Sequence, residues 1–97
     1  MVILKTLAPG REMHGFEIAE AIYQTSANVL QVEEGSLYPA LQRLLVKGWV
    51  VGEWGRTQGN RRARYYAITK AGHKQLEKEV EAYRRVSGAI SRILEPA

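Results

Sequence analysis

Two short runs rich in aromatic and β-branched residues place the strongest constraint on the fold of this chain, because together they predict a β-hairpin. The runs are WVVGEW at residues 49–54 and RYYAIT at residues 64–69. The segment between them, GRTQGNRRA, contains the turn formers Gly55, Gly59 and Asn60, which favour a change of chain direction. We therefore expect two short strands joined by a long tip.

Positive charge is concentrated at this predicted tip. Residues 54–76 contain no Asp or Glu and six basic residues, namely Arg56, Arg61, Arg62, Arg64, Lys70 and Lys74. The rest of the chain is slightly acidic, so the net charge of +4 arises here. A local excess of one charge attracts a partner of the opposite charge, and the tip therefore predicts a polyanionic partner. The alternative is a solvated loop that keeps the protein soluble.

Two helices are predicted at the start of the chain. The first covers residues 1–8 and ends at Pro9 and Gly10, which interrupt helices. The second lies in the segment HGFEIAEAIYQTS, whose apolar residues recur at helical spacing: Phe16, Ile18, Ala19, Ile22 and Tyr23. The segment ANVLQVEEG that follows has mixed periodicity and ends in Gly35, so it predicts a turn.

The segment SLYPALQRLLVKG predicts a third helix with two distinct faces. Ser36 is expected to cap this helix and Gly48 to end it, with Pro39 in the first turn, where a missing N–H costs little. The apolar face consists of Leu37, Ala40, Leu41 and Leu44. The opposite face consists of Ser36, Pro39, Gln42, Arg43 and Val46, with Tyr38 at the border. Such a face can bind a partner or simply face solvent.

Residues 70–94 predict one long helix that begins after a capping threonine, Thr69. Two sets of positions seven residues apart follow a heptad pattern: Leu76, Tyr83 and Ile90, and Val80, Ser87 and Leu94. At 1.5 Å per residue the helix would reach roughly 35–40 Å, which is more than a domain of this size needs internally. We therefore expect it to pack on a partner helix rather than on its own domain.

The order helix, helix, helix, hairpin, helix is that of a winged helix-turn-helix domain, an α+β fold that is mostly helical. In such domains the third helix enters the major groove of DNA, and the two-stranded hairpin, or wing, lies along the backbone or minor groove. Lys and Arg on the wing then bind phosphates by releasing counterions. The predicted DNA-binding residues are Ser36, Tyr38, Pro39, Gln42, Arg43, Lys47, Arg56, Asn60, Arg61, Arg62 and Arg64.

Three segments of the chain resemble the PadR family of bacterial transcriptional regulators. They are HGFEIAEAI at residues 14–22, EEGSLYPALQRLLVKGWV at residues 33–50 and RRARYYAITKAGHKQLE at residues 61–77. The resemblance implies a cytoplasmic, homodimeric DNA-binding repressor on a near-palindromic operator, of the short type with a single helix after the wing. Ser36 stands where the family often has threonine, so a hydroxyl is kept.

The resemblance also implies how the chain is divided. Residues 1–69 would form the winged helix-turn-helix domain and residues 70–97 the dimerisation helix. The residues expected in the dimer interface are Leu4, Leu76, Val80, Tyr83, Ile90 and Leu94. Relatives usually carry a few residues before the first helix, and a shorter start would weaken dimer packing at that end.

Trp49 and Trp54 are the candidates for a pocket that binds a small apolar or aromatic effector. The plainer alternative is that both fill a small core beside the hairpin. Tyr65 and Tyr66 point to opposite faces of a strand, and one of them is expected in the core.

A metal site is the other small-ligand hypothesis. His14 and Glu17 are three residues apart and would share a helix face, but two ligands without a third make a poor metal site. His14 is therefore expected to cap or pack at the start of its helix.

Composition excludes several classes of protein. The chain has no Cys and no Asp, so a disulfide, a thiolate zinc site and a cysteine nucleophile are ruled out. It has no Gly-rich phosphate loop after a strand and no paired catalytic groups, and we expect neither an enzyme nor a cofactor. Apolar runs are too short to span a membrane, and a cytoplasmic protein is expected. The remaining alternative to a DNA-binding regulator is a winged-helix module that binds an acidic protein surface.

Overall fold

Within residues 1–95, which the computed structural model describes, the chain forms four helices and three strands. The helices are α1 (Val2–Leu7), α2 (Gly15–Thr25), α3 (Glu34–Val46) and α4 (Lys70–Leu94). The strands are β1 (Met13–His14), β2 (Val50–Arg56) and β3 (Arg62–Ile68). The predicted order of helices and hairpin is confirmed, and β1 is an addition to it. The last two residues of the expected 70–97 helix lie outside the described residues.

The predicted hairpin is formed by β2 and β3, which pair antiparallel along their whole length. The ladder extends into the segment that was expected to form the tip, so only residues 57–61 connect the strands. Gly55, predicted as a turn former, lies in β2 opposite Ala63, and that part of the prediction is wrong. A glycine is also tolerated within a strand, and composition alone does not tell the two situations apart.

A two-residue strand, β1, joins the free edge of β3 and gives the sheet order β1-β3-β2. Met13 pairs with Tyr66 and His14 with Tyr65. Two residues cannot show the alternation by which strands are recognised in a sequence, so β1 was not predicted. Tyr66 is buried and Tyr65 is half-buried, which confirms the expectation of one core tyrosine.

The core is an apolar cluster to which all four helices and the base of the sheet contribute. Its buried side chains are Leu4, Leu7, Met13, Ile18, Ile22, Leu37, Leu41, Val50, Tyr66 and Leu76. Leu4 and Leu76 are among the residues predicted for the dimer interface, and for both the prediction is wrong. Leu4 is 0% and Leu76 7% exposed, so their surface is used within the protomer. A heptad position packs on its own domain as readily as on a partner helix.

The buried stripe of α2 is narrower than its apolar pattern predicts. Gly15, Ile18 and Ile22 are buried and follow one another at helical spacing. Phe16 is 67% and Tyr23 38% exposed, because each lies well around the helix from this stripe. Both residues instead line a surface cleft of about 730 Å³ beside the start of α3.

α3 begins earlier than its sequence predicts. Its N-cap is Glu33 rather than Ser36, so Ser36 lies in the first turn and Pro39 in the second. Serine is a strong N-cap and glutamate a weak one, which is why the sequence indicates the wrong residue. The end of α3 is as predicted: Gly48 has a φ of +75°, the left-handed conformation in which glycine ends helices.

The start of α4 is tied to the turn between α3 and β2. The Thr69 hydroxyl accepts a hydrogen bond from the Gly72 N–H at 3.0 Å, which confirms the predicted cap, and donates one to the Gly48 carbonyl at 2.7 Å. The Thr69 N–H donates to the Trp49 carbonyl at 3.0 Å. Gly72 approaches the same carbonyl so closely that a Cβ atom would collide with it. These contacts fix the direction in which α4 leaves the domain.

α4 gives the chain an elongated shape, with principal extents of 56 × 29 × 23 Å. Its first turns close the core through Leu76, and the rest of the helix extends beyond the core. Over the described part of the chain, no helix is both long enough and apolar enough to cross a lipid bilayer.

Candidate nucleic-acid interface

α3 exposes a continuous face on the side opposite the buried Leu37 and Leu41. The exposed residues of this face are Ser36, Tyr38, Pro39, Gln42, Arg43, Val46 and Lys47. All the α3 residues predicted to contact DNA are among them. Amide, guanidinium and hydroxyl groups are the side-chain groups that bind base edges and phosphates, so this face has the chemistry of a recognition surface.

The two edges of the exposed α3 face border different parts of the domain. At one edge the Tyr38 ring packs on Gly15 at the start of α2, where an added Cβ would lie 2.8 Å from the Tyr38 hydroxyl. At the other edge Arg43 and Lys47 border a cleft of about 550 Å³ that Trp49 also lines. The Lys47 Nζ is 5.2 Å from the centroid of the Trp49 ring. Tyr38 therefore marks the wing side of α3, and the two cations mark the α1 side.

The strand arginines of the wing share one face of the sheet. In an antiparallel pair, residues directly opposite each other and residues two apart point to the same side. Arg56 pairs with Arg62, and Trp54 pairs with Arg64, which puts these four side chains on the side that carries the buried Tyr66. The positive charge of the wing is therefore directed to one side rather than spread around the hairpin.

Trp54 lies between two of these arginines. The guanidinium carbon of Arg62 is 4.4 Å, and that of Arg64 5.9 Å, from the centroid of the Trp54 ring. Arg64 is also 6.0 Å from the Tyr66 ring, and it crosses Gly52, where a Cβ would come within 2.5 Å of the Arg64 Nε. That Nε is buried, and within residues 1–95 it has no hydrogen-bond partner. Contacts of a cation with an aromatic face hold both guanidinium groups.

A cleft of about 440 Å³ connects the wing with both helices of the helix-turn-helix. It is lined by Arg61, Arg62 and Arg64 from the wing, by Tyr38 from α3 and by Phe16 from α2. The side chains of three arginines and one tyrosine thus line one concave surface. Guanidinium groups bind phosphate oxygens through charge-assisted hydrogen bonds, so the cleft has the chemistry of a phosphate site.

Hydrogen bonds within the wing order its tip. The Arg61 N–H donates to the Thr57 hydroxyl at 3.2 Å, and the Thr57 N–H donates to the Arg61 carbonyl at 2.9 Å. Asn60 has a φ of +62°, a conformation that asparagine tolerates better than most residues, and its carbonyl accepts from the Arg56 Nη1 at 3.3 Å. The turn-forming role predicted for Asn60 is confirmed. Asn60 and Arg61 are both exposed.

Acidic side chains do not pair with the wing anywhere in the described part of the protein. The ion pairs there join the N-terminal amine to Glu79 and Arg85 to Glu81. The basic residues of the wing take part in none of them. Their charge is therefore available to an external anion.

His14 caps α2. Its Nδ1 accepts a hydrogen bond from the Glu17 N–H at 3.4 Å, and the Glu17 carboxylate accepts one from the His14 N–H at 3.1 Å. This reciprocal arrangement is a capping box, and it confirms the capping role predicted for His14. The pair is explained by helix formation without a metal ion.

Trp49 and Trp54 line different clefts. Trp49 is half-buried beside α1 and α3, whereas Trp54 is 58% exposed in the cleft of the wing. Five residues of extended chain separate them by about 16 Å. The prediction of one effector pocket lined by both is wrong. The alternative that both fill the core is wrong for Trp54.

The distal part of α4, residues 81–94, exposes an apolar stripe, called the distal stripe below. Its exposed residues are Tyr83, Val86, Ile90, Ile93 and Leu94. Tyr83, Ile90 and Leu94 are predicted interface residues, and Val86 and Ile93 widen the stripe beyond the strict heptad spacing. Val80 is half-buried against the core of its own domain. Of the six predicted interface residues, the three in the distal part of α4 are exposed, Val80 is half-buried, and Leu4 and Leu76 are buried.

A polar helix beside a two-stranded basic wing, on a small antiparallel sheet, defines a winged helix-turn-helix fold. Solved structures share it. A transcriptional regulator from Clostridium thermocellum superposes with a TM-score of 0.86 at 26% identity, covering 97% of this chain and 90% of that one. For a PadR-like transcriptional regulator from Bacillus cereus the TM-score is 0.79 at 26% identity, with 98% and 89% covered.

The family follows from the sequence comparison. A family model described as "Transcriptional regulator PadR-like family" matches residues 3–78, and the chain belongs to this family. A 37.1 kDa protein in transposon TN4556 of Streptomyces fradiae is 38% identical over 92 residues, which cover 93% of this chain and 24% of that protein. The chain thus spans about a quarter of that relative.

Trp54 is the residue of this site whose place the sequence did not indicate. Its position opposite Arg64 depends on the strand register, and a shift of one residue would send it to the other face. The nine-residue tip expected from composition left the register open. A tip centred on Gly59 would have predicted the Trp54–Arg64 pair.

Proposed function

We propose that this protein is a homodimeric repressor that binds a pseudo-palindromic site in double-stranded DNA. Each α3 would lie in the major groove, and each wing would lie along the phosphate backbone. The observation that carries the proposal is the shared direction of the charge. Arg62 and Arg64 lie on the side of the sheet where Tyr38 of α3 lines the same cleft. A polyanion bound to α3 would therefore meet the wing arginines without rearrangement.

The exposed face of α3 supports a division of roles. Gln42 and Arg43 carry groups that pair in a bidentate way with adenine and guanine, respectively. Ser36, Tyr38 and Lys47 lie nearer the edges of the face and have the chemistry of phosphate contacts. Pro39 lies between Gln42 and Arg43 around the helix and offers an apolar surface there.

The distal stripe supports a dimer with a second copy of the chain. Soluble monomers rarely leave large contiguous apolar patches exposed, and burying one Ile or Leu side chain contributes about 1.5–3 kcal/mol. A two-fold axis uses every interface residue twice, so a few side chains suffice. Such a dimer would place its two α3 helices about one helical turn, about 34 Å, apart on the DNA.

The proposal includes release by a small apolar or aromatic effector. A groove of about 350 Å³ between α1, the end of α2 and α4 supports this part, since it is lined by Val2, Leu30 and Tyr83 and has a volume within the range of ligand sites. Tyr83 also belongs to the distal stripe. An effector in this groove would therefore act on the dimer and, through it, on the separation of the two α3 helices.

Fluorescence anisotropy on DNA from upstream of the protein's own gene tests the proposal, with a random duplex alongside and several salt concentrations. We expect sequence-selective binding with a log–log salt slope of roughly −5 or steeper. Replacing Arg61 and Arg62 together by Ala should weaken binding to both duplexes and make the slope shallower. Lys78 and Arg85 of α4, replaced together by Ala, are the matched control, because the same charge is removed away from the wing.

Equal and weak binding to both duplexes would contradict the proposal. The second candidate, a winged-helix module that binds an acidic protein, would then be the better one, because the exposed arginines of the wing suit such a surface equally. The polar face of α3 argues against it, since protein interfaces are richer in apolar and aromatic anchors.

A further inference from the structure

Trp54 occupies a position that phosphate binding by arginines alone does not require. An exposed arginine on a wing can neutralise a phosphate without an aromatic neighbour. Such a side chain has many rotamers, however, and the entropy lost when binding fixes one of them opposes association. Here the rings of Trp54 and Tyr66 already restrict two arginines in the free protein, at 4.4 Å for Arg62 and 5.9–6.0 Å for Arg64.

Gly52 completes this arrangement. Arg64 lies across β2 at Gly52, and any other residue there would push its Nε away. In this pose the Arg64 Nε is buried and lacks a hydrogen-bond partner among the described residues, which is a cost that proteins rarely accept without compensation. The terminal nitrogens of Arg64 remain the hydrogen-bond donors that can reach a ligand in the cleft of about 440 Å³ beside the wing.

We propose that Trp54 is the positioning residue of the DNA-binding wing. Its ring holds Arg62 and Arg64 in place before DNA arrives, so that both bind backbone phosphates with a smaller loss of side-chain freedom. The inference rests on the proposed function and names the residue that sets the affinity of its wing. The group that the arginines bind is a phosphodiester oxygen, for which a guanidinium is a complementary partner.

A positioning role has a signature that distinguishes it from a contact. Removing an arginine removes a released counterion, and the salt slope falls by about 0.9 for each lost phosphate contact. Removing the Trp54 ring leaves both charges on the wing. The affinity should then fall while the salt slope stays the same.

The test is a mutant cycle measured by anisotropy at several salt concentrations. It compares the wild type, Trp54→Leu, the pair Arg62→Gln with Arg64→Gln, and all three changes together. Trp54→Leu should weaken binding by about 3- to 10-fold at an unchanged slope. The arginine pair should reduce the slope by about 2 for each wing. In the background of the arginine pair, Trp54→Leu should change the affinity by less than about twofold.

Two further variants keep the proposal testable if Trp54→Leu disturbs the hairpin. Gly52→Ala leaves Trp54 and Arg62 in place but displaces Arg64, and it should weaken binding at an unchanged slope. Trp54→Phe should recover part of the loss, because a smaller ring still binds a cation. Val51→Ala is the matched control, since Val51 is exposed on the opposite face of β2.

In the free wild type, NMR should show ring-current shifts at the Nε–H groups of Arg62 and Arg64.

Three results would overturn the proposal. An equal loss from Trp54→Leu with and without the two arginines would mean that the ring contacts DNA itself. A shallower slope in Trp54→Leu would mean that phosphate contacts, and not their positioning, depend on the ring. An unchanged affinity would remove the role altogether. Failure of the wild type to bind any duplex would instead contradict the proposed function, whatever the NMR shifts in the free protein.

Discussion

The wing and the distal part of α4 both project from the core, and both expose side chains that usually have a partner. One face of the wing exposes several arginines, whose attraction for a polyanion extends over about 8–10 Å and is weakened by salt. The distal stripe exposes apolar side chains, which associate only on contact, by burial of their surface. One small protein thus carries two surfaces whose interactions respond to different solution conditions, although both surfaces belong to the same proposed function.

Salt should separate the two surfaces most strongly. Raising the salt concentration from 50 to 200 mM should lower the DNA affinity by about a thousandfold, because counterions then compete for the phosphates. The dimer dissociation constant should change by less than about twofold, because apolar burial carries little charge. Anisotropy and sedimentation on the same samples check both values. A dimer that dissociates with salt would show that charged groups hold the two copies together.

Breaking the distal stripe should have the next largest effect. Ile90→Glu would bury a charge twice in a symmetric interface, and the dimer should weaken by at least about a hundredfold. Sedimentation at several protein concentrations measures the change in dimer dissociation constant. The affinity for the duplex from upstream of the protein's own gene should fall as the dimer weakens. Ser91→Glu adds the same charge at an exposed neighbour outside the stripe and should leave the dimer intact. A dimer that survives Ile90→Glu would place the interface elsewhere.

Two leucines of α4 test where the core ends and the distal stripe begins. Leu76→Ala should lower the free energy of unfolding by about 2–5 kcal/mol, because Leu76 is buried in the protomer. Leu94→Ala should change it by less than about 0.5 kcal/mol, because Leu94 is 74% exposed. Urea denaturation in the Ile90→Glu background removes the contribution of dimerisation. Equal effects of the two changes would mean that Leu94 is covered within one protomer.

A smaller effect is expected at the base of the wing. Burial raises the pKa of Tyr66 above its ordinary value of 10.0, although the Arg64 guanidinium opposes the rise and Tyr38 adds to it. Above pH 10 the unfolded chain loses this proton while the folded chain keeps it, so stability should fall as the pH rises. Denaturation between pH 9 and 11 should show a weaker fall in Tyr66→Phe. An identical pH dependence in both proteins would contradict this account.

The order of the helices and strands along the chain could be predicted from the sequence, because each element has its own local sequence signal. The heptads of α4, the turn residues Gly59 and Asn60, and the Thr69 cap are all local features. Ser36 shows the limit of that reasoning. A good capping residue indicates where a helix can start, and in this chain the preceding residues Glu34 and Gly35 are helical as well.

It could not be predicted in the same way which apolar residues are exposed and which are buried. Leu76 and Leu94 occupy the same face of α4 and look equivalent in the sequence. They differ because Leu76 packs in the apolar cluster of the core, whereas Leu94 lies beyond it. Trp54 is a similar case. Its neighbours lie on the paired strand of the same hairpin, and amino-acid composition does not determine the register between the two strands. Contacts between residues distant in the sequence therefore determine which of the predicted site residues are exposed.

The joint between α3 and α4 has a consequence for which operators a dimer would accept. Thr69 and Gly72 fix α4 against the turn that ends α3, so in a dimer joined through α4 the joint would orient both recognition helices. On B-DNA, moving one half-site by a base pair rotates it by about 34–36° around the axis. A rigid joint would thus reject operators with the right bases at the wrong spacing. Selectivity for spacing would then reside in Gly72, a residue that need not touch DNA.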